Sequence, residues 1–157
     1  MLNKVDKNLT GAAGEHLVLS RLLSRGLLAA QAPRGTRKAD ILVNYLDSGK
    51  SNLIQVKSTQ HGSDGGWTMS EKHERITDDD LFYCFVDFKP MDPKVFVLPA
   101  KVVAKAVSED HAIWLATPGK NGRRHNDSPM RKVKSLGMSQ GAGWLEPYFE
   151  RWEYFVS

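Results

Sequence analysis

Asp40, Gln55 and Lys57 are the residues whose types and spacing point to chemistry. Gln55 and Lys57 lie in Leu53-Ile54-Gln55-Val56-Lys57-Ser58, an apolar run with two polar side chains two residues apart. Strand side chains alternate faces, so Ile54 and Val56 point one way and Gln55 and Lys57 the other. Asp40 opens a second apolar run, Ile41-Leu42-Val43-Asn44-Tyr45. An acid at one strand's start and an amide-x-Lys at the next strand's end can put an oxygen cluster and an ammonium in one place. Such a set can hold a hard divalent cation and activate a water. Lys57 would supply a positive charge beside a phosphate, or act as a base if its pKa is lowered. Taken singly, each residue has a plainer reading. A strand-end Lys is ordinarily a solvated edge charge, and Asp40 alone caps a turn. The joint pattern carries the inference.

The elements around these residues read as follows. Residues 11–25 predict a helix capped by Thr10 and ended by Gly26. Leu19, Leu22, Leu23 and Leu27 form its apolar line. Glu15 precedes Leu19 and Leu22 by four and seven residues and so shares that stripe, where an unpaired carboxylate is costly. Gly11, Ala12, Ala13 and Gly14 leave its first turn thin enough for another backbone to approach. A short strand over 27–32 leads to the basic turn Pro33-Arg34-Gly35-Thr36-Arg37-Lys38. Strands over 40–46 and 52–58 flank the hairpin signal Asp47-Ser48-Gly49-Lys50. Residues 60–66 read as a loop, and 69–76 as a short helix unless Trp67 and Thr68 extend a strand. Strong strand signals cover 80–88 and 94–98, with a turn at 90–93. A helix follows over 100–107. Residues 119–143, rich in Gly, Ser and basic residues, predict a long loop or arm, and 144–155 a last helix that packs back. No repeat and no second domain is visible. The order implies an α/β sandwich around a mixed sheet in one domain.

This order, with Glu15, Asp40, Gln55 and Lys57 in these places, resembles the PD-(D/E)XK nuclease superfamily. Residues 8–60 are most similar to archaeal-type Holliday junction resolvases. They share a Gly-rich start, a Glu in the first helix, the Arg-Gly-Thr-Arg-Lys turn, Asp-Ile, and a strand ending in x-Val-Lys-Ser. The resemblance implies a restriction-endonuclease-like α-β-β-β-α-β core, its central mixed sheet flanked by helices. It also implies cleavage of duplex or branched DNA with Mg2+ (or Mn2+), and a homodimer, since cutting two strands needs two sites. Glu15, Asp40 and Gln55 would then ligate the ion, with the Val56 backbone carbonyl as a further oxygen, and Lys57 would orient or activate the water. Gln55 departs from the family's Glu or Asp: its amide oxygen can ligate but brings no negative charge. That departure keeps open a non-catalytic nucleic-acid-binding or interaction module on the same fold. A restriction or mobile-element accessory factor is a third class that sequence does not separate.

The 157 residues carry a net charge of +4, which permits a polyanionic partner without demanding one. Arg34, Arg37 and Lys38 flank the site and are the better-placed phosphate contacts. Lys120, Arg123, Arg124, Arg131, Lys132 and Lys134 form a second basic set in the 119–143 segment, read either as a solvated loop or as a surface that orders on binding. Cys84, the one cysteine, excludes an internal disulfide and reads as a buried thiol. No run is apolar enough for a membrane span and no signal-peptide core is visible, so cytoplasmic residence is the expectation. Gly137-Met138-Ser139-Gln140-Gly141 matches a nucleophile-elbow pattern, but no His follows Ser139. Asp78-Asp79-Asp80 reads as a turn leading into a strand. Trp67 and Trp144 read as packing residues before stacking platforms for bases.

Overall fold

The computed structural model describes residues 5–156. The first four residues, part of the stretch read for a leader, lie outside that range. A five-stranded sheet has the order β1-β2-β3-β5-β6. Its strands are β1 (Leu28–Gln31), β2 (Ile41–Asn44), β3 (Ser51–Thr59), β5 (Leu81–Asp87) and β6 (Lys94–Pro99). The β3–β5 pair is parallel and the other pairs are antiparallel, so the sheet is mixed. Helix α1 (Lys7–Leu23) covers one face and α2 (Ala100–Ala116) the other. This is the α/β sandwich that the strand and helix signals predict.

Period-two alternation along β2 and β3 sorts the two layers. Ile41, Val43, Ile54 and Val56 pack with Val18 and Leu22 of α1. β5 is buried on both faces, as a central strand flanked by helices should be. Its Phe82, Cys84 and Val86 join the α1 layer, while Tyr83 and Phe85 join Val103 and Val107 of α2. Cys84 is fully buried, as expected, and burial raises its thiol pKa far above the usual value.

Several elements differ from their sequence-based bounds. α1 begins at Lys7 because Asp6, not Thr10, is its cap: the Asp6 carboxylate accepts the Asn8 N–H at 2.7 Å. Thr10 is buried inside the helix and its hydroxyl donates to the Asp6 carbonyl. Leu23 is exposed, and the buried line runs instead through Thr10, Gly14, Val18 and Leu22. The 67–76 region divides into β4 (Trp67–Ser70) and a 3-10 turn over Glu71–Arg75. This short crossover joins the parallel strands β3 and β5, so α2, from later in the chain, supplies the long helix on that face. Trp67 is core, its Nε1–H donating to the Val86 carbonyl.

The 119–143 stretch is less loop-like than its composition implies. Within it β7 (Met130–Val133) pairs antiparallel with β4, and β8 (Leu136–Gly137) pairs with β9 (Gly141–Ala142). The 144–155 stretch does pack back, placing Trp152 and Phe155 in the α1 layer, but as 3-10 turns over Glu146–Tyr148 and Trp152–Phe155. Pro147 and the left-handed Glu150 (φ 48°) interrupt any continuous α-helix there.

One contact sets the distance between α1 and the sheet. A Cβ at Gly14 would lie 1.8 Å from Ser58 Oγ and 3.1 Å from Ser58 Cβ. Glycine is therefore required by close approach, as the thin first turn suggested. Gly14→Ala should destabilise the protein by about 1–3 kcal/mol despite its better helix propensity. Adding Ser58→Gly should recover part of that loss. Denaturant titration of both single mutants and the double mutant checks this; strictly additive losses would show that the two residues do not meet.

Candidate active site at the end of strand β3

β3 continues to Thr59, but the β2 ladder stops at the Ile41–Ile54 rung. One more backbone bond follows, from Asp40 N–H to the Ile54 carbonyl at 2.8 Å. The chain then turns away through Lys38, whose φ of 67° is left-handed. Beside residues 56–59 of β3 this leaves a notch where β2 has ended.

The Asp40 carboxylate occupies the notch. Its Oδ2 accepts the Val56 backbone N–H at 2.8 Å, in place of the next ladder bond. A strand residue's N–H and C=O point the same way, so the Val56 carbonyl also faces the notch. Asp40 steps out of the β2–β3 register: its N–H reaches Ile54, the residue that Ile41 already pairs with, while its carbonyl accepts from Ala32 N–H, as in a β-bulge. Gln55 and Lys57 alternate with the buried Ile54 and Val56 and so share the α2-side face.

Glu15 comes from the other layer. The Gly14–Ser58 contact brings the N-terminal half of α1 against the end of β3. Partial burial raises the Glu15 pKa, and the Asp40 charge raises it further. Lys57 is half-buried; desolvation lowers its pKa, while Asp40 opposes that shift and Lys72 adds to it. Asp40 is thus electrostatically coupled to both. Among the described residues neither Glu15 nor Lys57 enters an ion pair.

The oxygen donors that the sequence pattern assigns to this place are the Asp40 and Glu15 carboxylates, the Gln55 amide and the Val56 carbonyl. Among the described residues no three His, Cys, Asp or Glu side chains group as metal ligands. The set is oxygen-only, which suits a hard cation, and holds two carboxylates whose mutual repulsion a cation would relieve.

The basic residues separate into distinct environments. Arg34 and Arg37 are exposed. Lys38 is exposed too, but its ammonium lies 3.2 Å from Asp78. Asp78, Asp79 and Asp80 are solvated, as their lead-in position suggested. Lys120, Arg123 and Arg124 are exposed on the segment after α2. Lys132, on β7 between buried Arg131 and Val133, and Lys134, just after the strand, are exposed. Arg131 is an internal brace: its guanidinium pairs with Glu74 and donates to the Ser128 carbonyl. Ser139 donates both N–H and Oγ–H to Asp110, at 2.7 and 2.6 Å, which is a turn anchor.

Two residues on the β5 side of β3 were not singled out in the sequence. Tyr83 is the register partner of Gln55 on β5 and shares its face. His73, on the 3-10 turn, packs edge-on against the Tyr83 ring at 5.9 Å. Both are buried, and Lys57 is among the charges that lower the His73 pKa, after desolvation. The available signal was a tyrosine within the otherwise apolar run 81–86, whose hydroxyl needs a partner.

No protein-family model and no curated protein matches the sequence. Among solved structures, the chain is similar to a bacterial homing endonuclease, I-Ssp6803I. The TM-score is 0.57 at 17% identity, over 98% of this chain and 93% of that one. The chain has a nuclease-like α/β fold. The likeness extends over nearly the full length of both chains, so it includes the segment after α2 that sequence patterns left as a loop.

The raised Glu15 pKa makes a stability prediction. An acid whose folded pKa exceeds its unfolded value binds its proton more tightly when folded, so its ionisation weakens the fold at higher pH. Glu15→Gln should therefore raise the melting temperature at pH 7. The gain should shrink as pH falls through the raised pKa and vanish below the ordinary carboxylate range. Melting curves from pH 4 to 8 check this; a variant less stable than the parent at pH 7 would show that the carboxylate is favourably paired.

Proposed function

We propose that this protein is a metal-dependent DNA endonuclease of the PD-(D/E)XK type, with glutamine in the position of the second acid. The observation that carries the reading is the Asp40 carboxylate bonded to the Val56 N–H, between Gln55 and Lys57 and within electrostatic reach of Glu15. The fold similarity to a homing endonuclease supports it. Glu15, Asp40, Gln55 and the Val56 carbonyl would bind Mg2+ or Mn2+. A bound ion there would neutralise phosphate charge and lower the pKa of a water. Lys57, with its pKa lowered by burial, is suited to take the attacking water's proton at Nζ as that oxygen bonds to phosphorus and the P–O bond to the leaving oxygen breaks. Asp40 holds the geometry through its bond to β3. Arg34 and Arg37 extend the positive surface along the duplex or branched substrate. A homodimer would present two such notches to two strands.

Gln55 also favours a second reading. With only two carboxylates the site carries less charge than an acid-bearing relative, as a nucleic-acid-binding module that has lost cleavage would.

Incubating purified protein with magnesium and plasmid, linear or branched DNA distinguishes the two. Cleavage is expected, and Asp40→Ala or Lys57→Ala should each reduce it by about 10²-fold or more while the protein stays folded. DNA binding without cutting, in magnesium and in manganese, would establish the second reading. Gln55→Glu should tighten magnesium binding in calorimetric titration, because hard-cation affinity follows ligand charge. Equal or weaker binding would remove Gln55 from the ligand set. Replacing Arg34 and Arg37 together with Ala should flatten the log–log salt dependence of DNA binding by roughly 0.9 per lost phosphate contact. An unchanged slope would place both outside the DNA surface.

A further inference from the structure

β7 and β4 form a two-stranded ribbon, so one edge of β7 has no strand beside it. The bond from Glu71 N–H to the Pro129 carbonyl fixes which backbone groups face that edge. Residues 129, 131 and 133 turn theirs to β4, so Met130, Lys132 and Lys134 turn theirs outward. The Met130 carbonyl accepts from the Arg131 guanidinium, and the Lys134 carbonyl from Trp144 Nε1–H. The Lys132 N–H and C=O have no hydrogen-bond partner among the described residues.

A groove of about 290 Å³ lies against this edge. Met130, Arg131 and Lys132 all border it, although their side chains alternate between the two faces of the ribbon. Its wall is therefore the edge of β7. Val107 and Trp114 of α2, with Leu136 and Met138, make the rest largely apolar. Met130, Leu136 and Met138 are exposed.

The charges around the groove are unevenly committed. Asp110 accepts from Ser139, and Asp127 is bonded to His111 and to the Ser128 N–H. Arg131 pairs with Glu74. Lys132 and Lys134 enter no ion pair among the described residues, and the Lys132 ammonium touches the Gly65 carbonyl at 3.4 Å. The free charge at this rim is positive.

An open strand edge takes an extended segment, whose side chains then alternate between the two faces of the ribbon. On the solvent face they meet Lys132. On the inner face they enter the groove beside Val107 and Trp114. A segment that alternates acidic and apolar residues matches both. A second copy pairing its own β7 there would set Lys132 and Lys134 against the same two lysines, which is unfavourable. A nucleic-acid backbone would engage the lysines and leave the apolar groove uncovered.

We propose that the β7 edge and the groove beside it bind an extended, acidic and apolar segment of another protein by strand addition. The backbone of that segment pairs with the Lys132 N–H and C=O. Its acidic side chains face Lys132 and Lys134, and its apolar side chains fill the groove. The surface shares no lining residue with the notch at the end of β3, and its binding does not depend on whether the notch cuts DNA.

The test presents the whole chain to a displayed library of random short peptides. Selection should enrich peptides that alternate acidic and apolar residues, and a synthetic copy should shift the Lys132 amide in an NMR titration. Methylating the peptide nitrogens that face β7 should weaken binding by about tenfold or more, and methylating the alternate nitrogens by less than about threefold. Lys132→Glu combined with Lys134→Glu should weaken the acidic peptide by about tenfold or more and favour its lysine counterpart. Both lysines are exposed, and a melting curve beside the parent's checks that the double variant is folded. Should it not fold, the two methylated series decide alone. No enriched peptide, binding that maps away from β7, or equal losses from the two series would overturn the proposal. Duplex DNA that shifts the Lys132 amide where no peptide does would overturn it too and give the surface to nucleic acid. A dimer of the parent that shifts this amide, and that the peptides do not displace, would give it to a second copy.

Discussion

The hydrogen bond from the Val56 N–H to Asp40 Oδ2 is the constraint on which the site depends. It closes a sheet edge that would otherwise end with an unpaired donor, and does so with a charged acceptor. A backbone rung there would have extended β2 and filled the notch. A side-chain rung ends the strand and leaves the second carboxylate oxygen free. The local fold and the placement of a functional group are thus one event. Neighbouring features follow from it. The chain leaves β2 sharply, Lys38 takes a left-handed conformation beside Asp78, and β3 runs on without β2 for three more residues, still paired with β5 on its other side.

Around that bond the protein keeps charged groups close without pairing them. Glu15 is partly buried near a like charge, and Lys57 is half-buried near Lys72, with Asp40 the acid that offsets the loss of water. Elsewhere the chain pairs its semi-buried charges, as Arg131 does with Glu74 and Arg21 with Glu150. Unpaired charges gathered in one place, against ordinary pairing elsewhere, are what the proposed metal site would use.

Much of this was legible in the sequence for specific reasons. Alternation in 52–58 gave both the strand and the shared face of Gln55 and Lys57, because one sheet face there is apolar and the other is not. The Gly14 signal held because only a residue without Cβ admits Ser58. The misses share a cause, which is contacts made far away in the chain. α2 runs on past 107 because its polar second half meets the later segment: Asp110 accepts from Ser139, His111 pairs with Asp127, and Trp114 stacks on His125. β7 is a strand because β4 offers an edge, and its Arg131 reads as solvated until Glu74 is known to lie against it. His73 and Tyr83 were silent because a histidine in a charged run and a tyrosine in an apolar one look ordinary until the fold joins them.

The ribbon of β4 and β7 has a bearing on the order in which the protein is made. α1 and the first three strands hold Glu15, Asp40, Gln55 and Lys57 through contacts local in sequence, and these close cheaply and early. The turn carrying His73 is clamped from the other end of the chain, by pairing with β7 and by the Glu74–Arg131 ion pair across a separation of 57 residues. During synthesis the four-residue cluster can therefore form well before the segment that steadies its wall has been made. A chain cut short after α2 would keep the cluster and lose the clamp, and the exposed edge of β4 would be open to pairing with another chain.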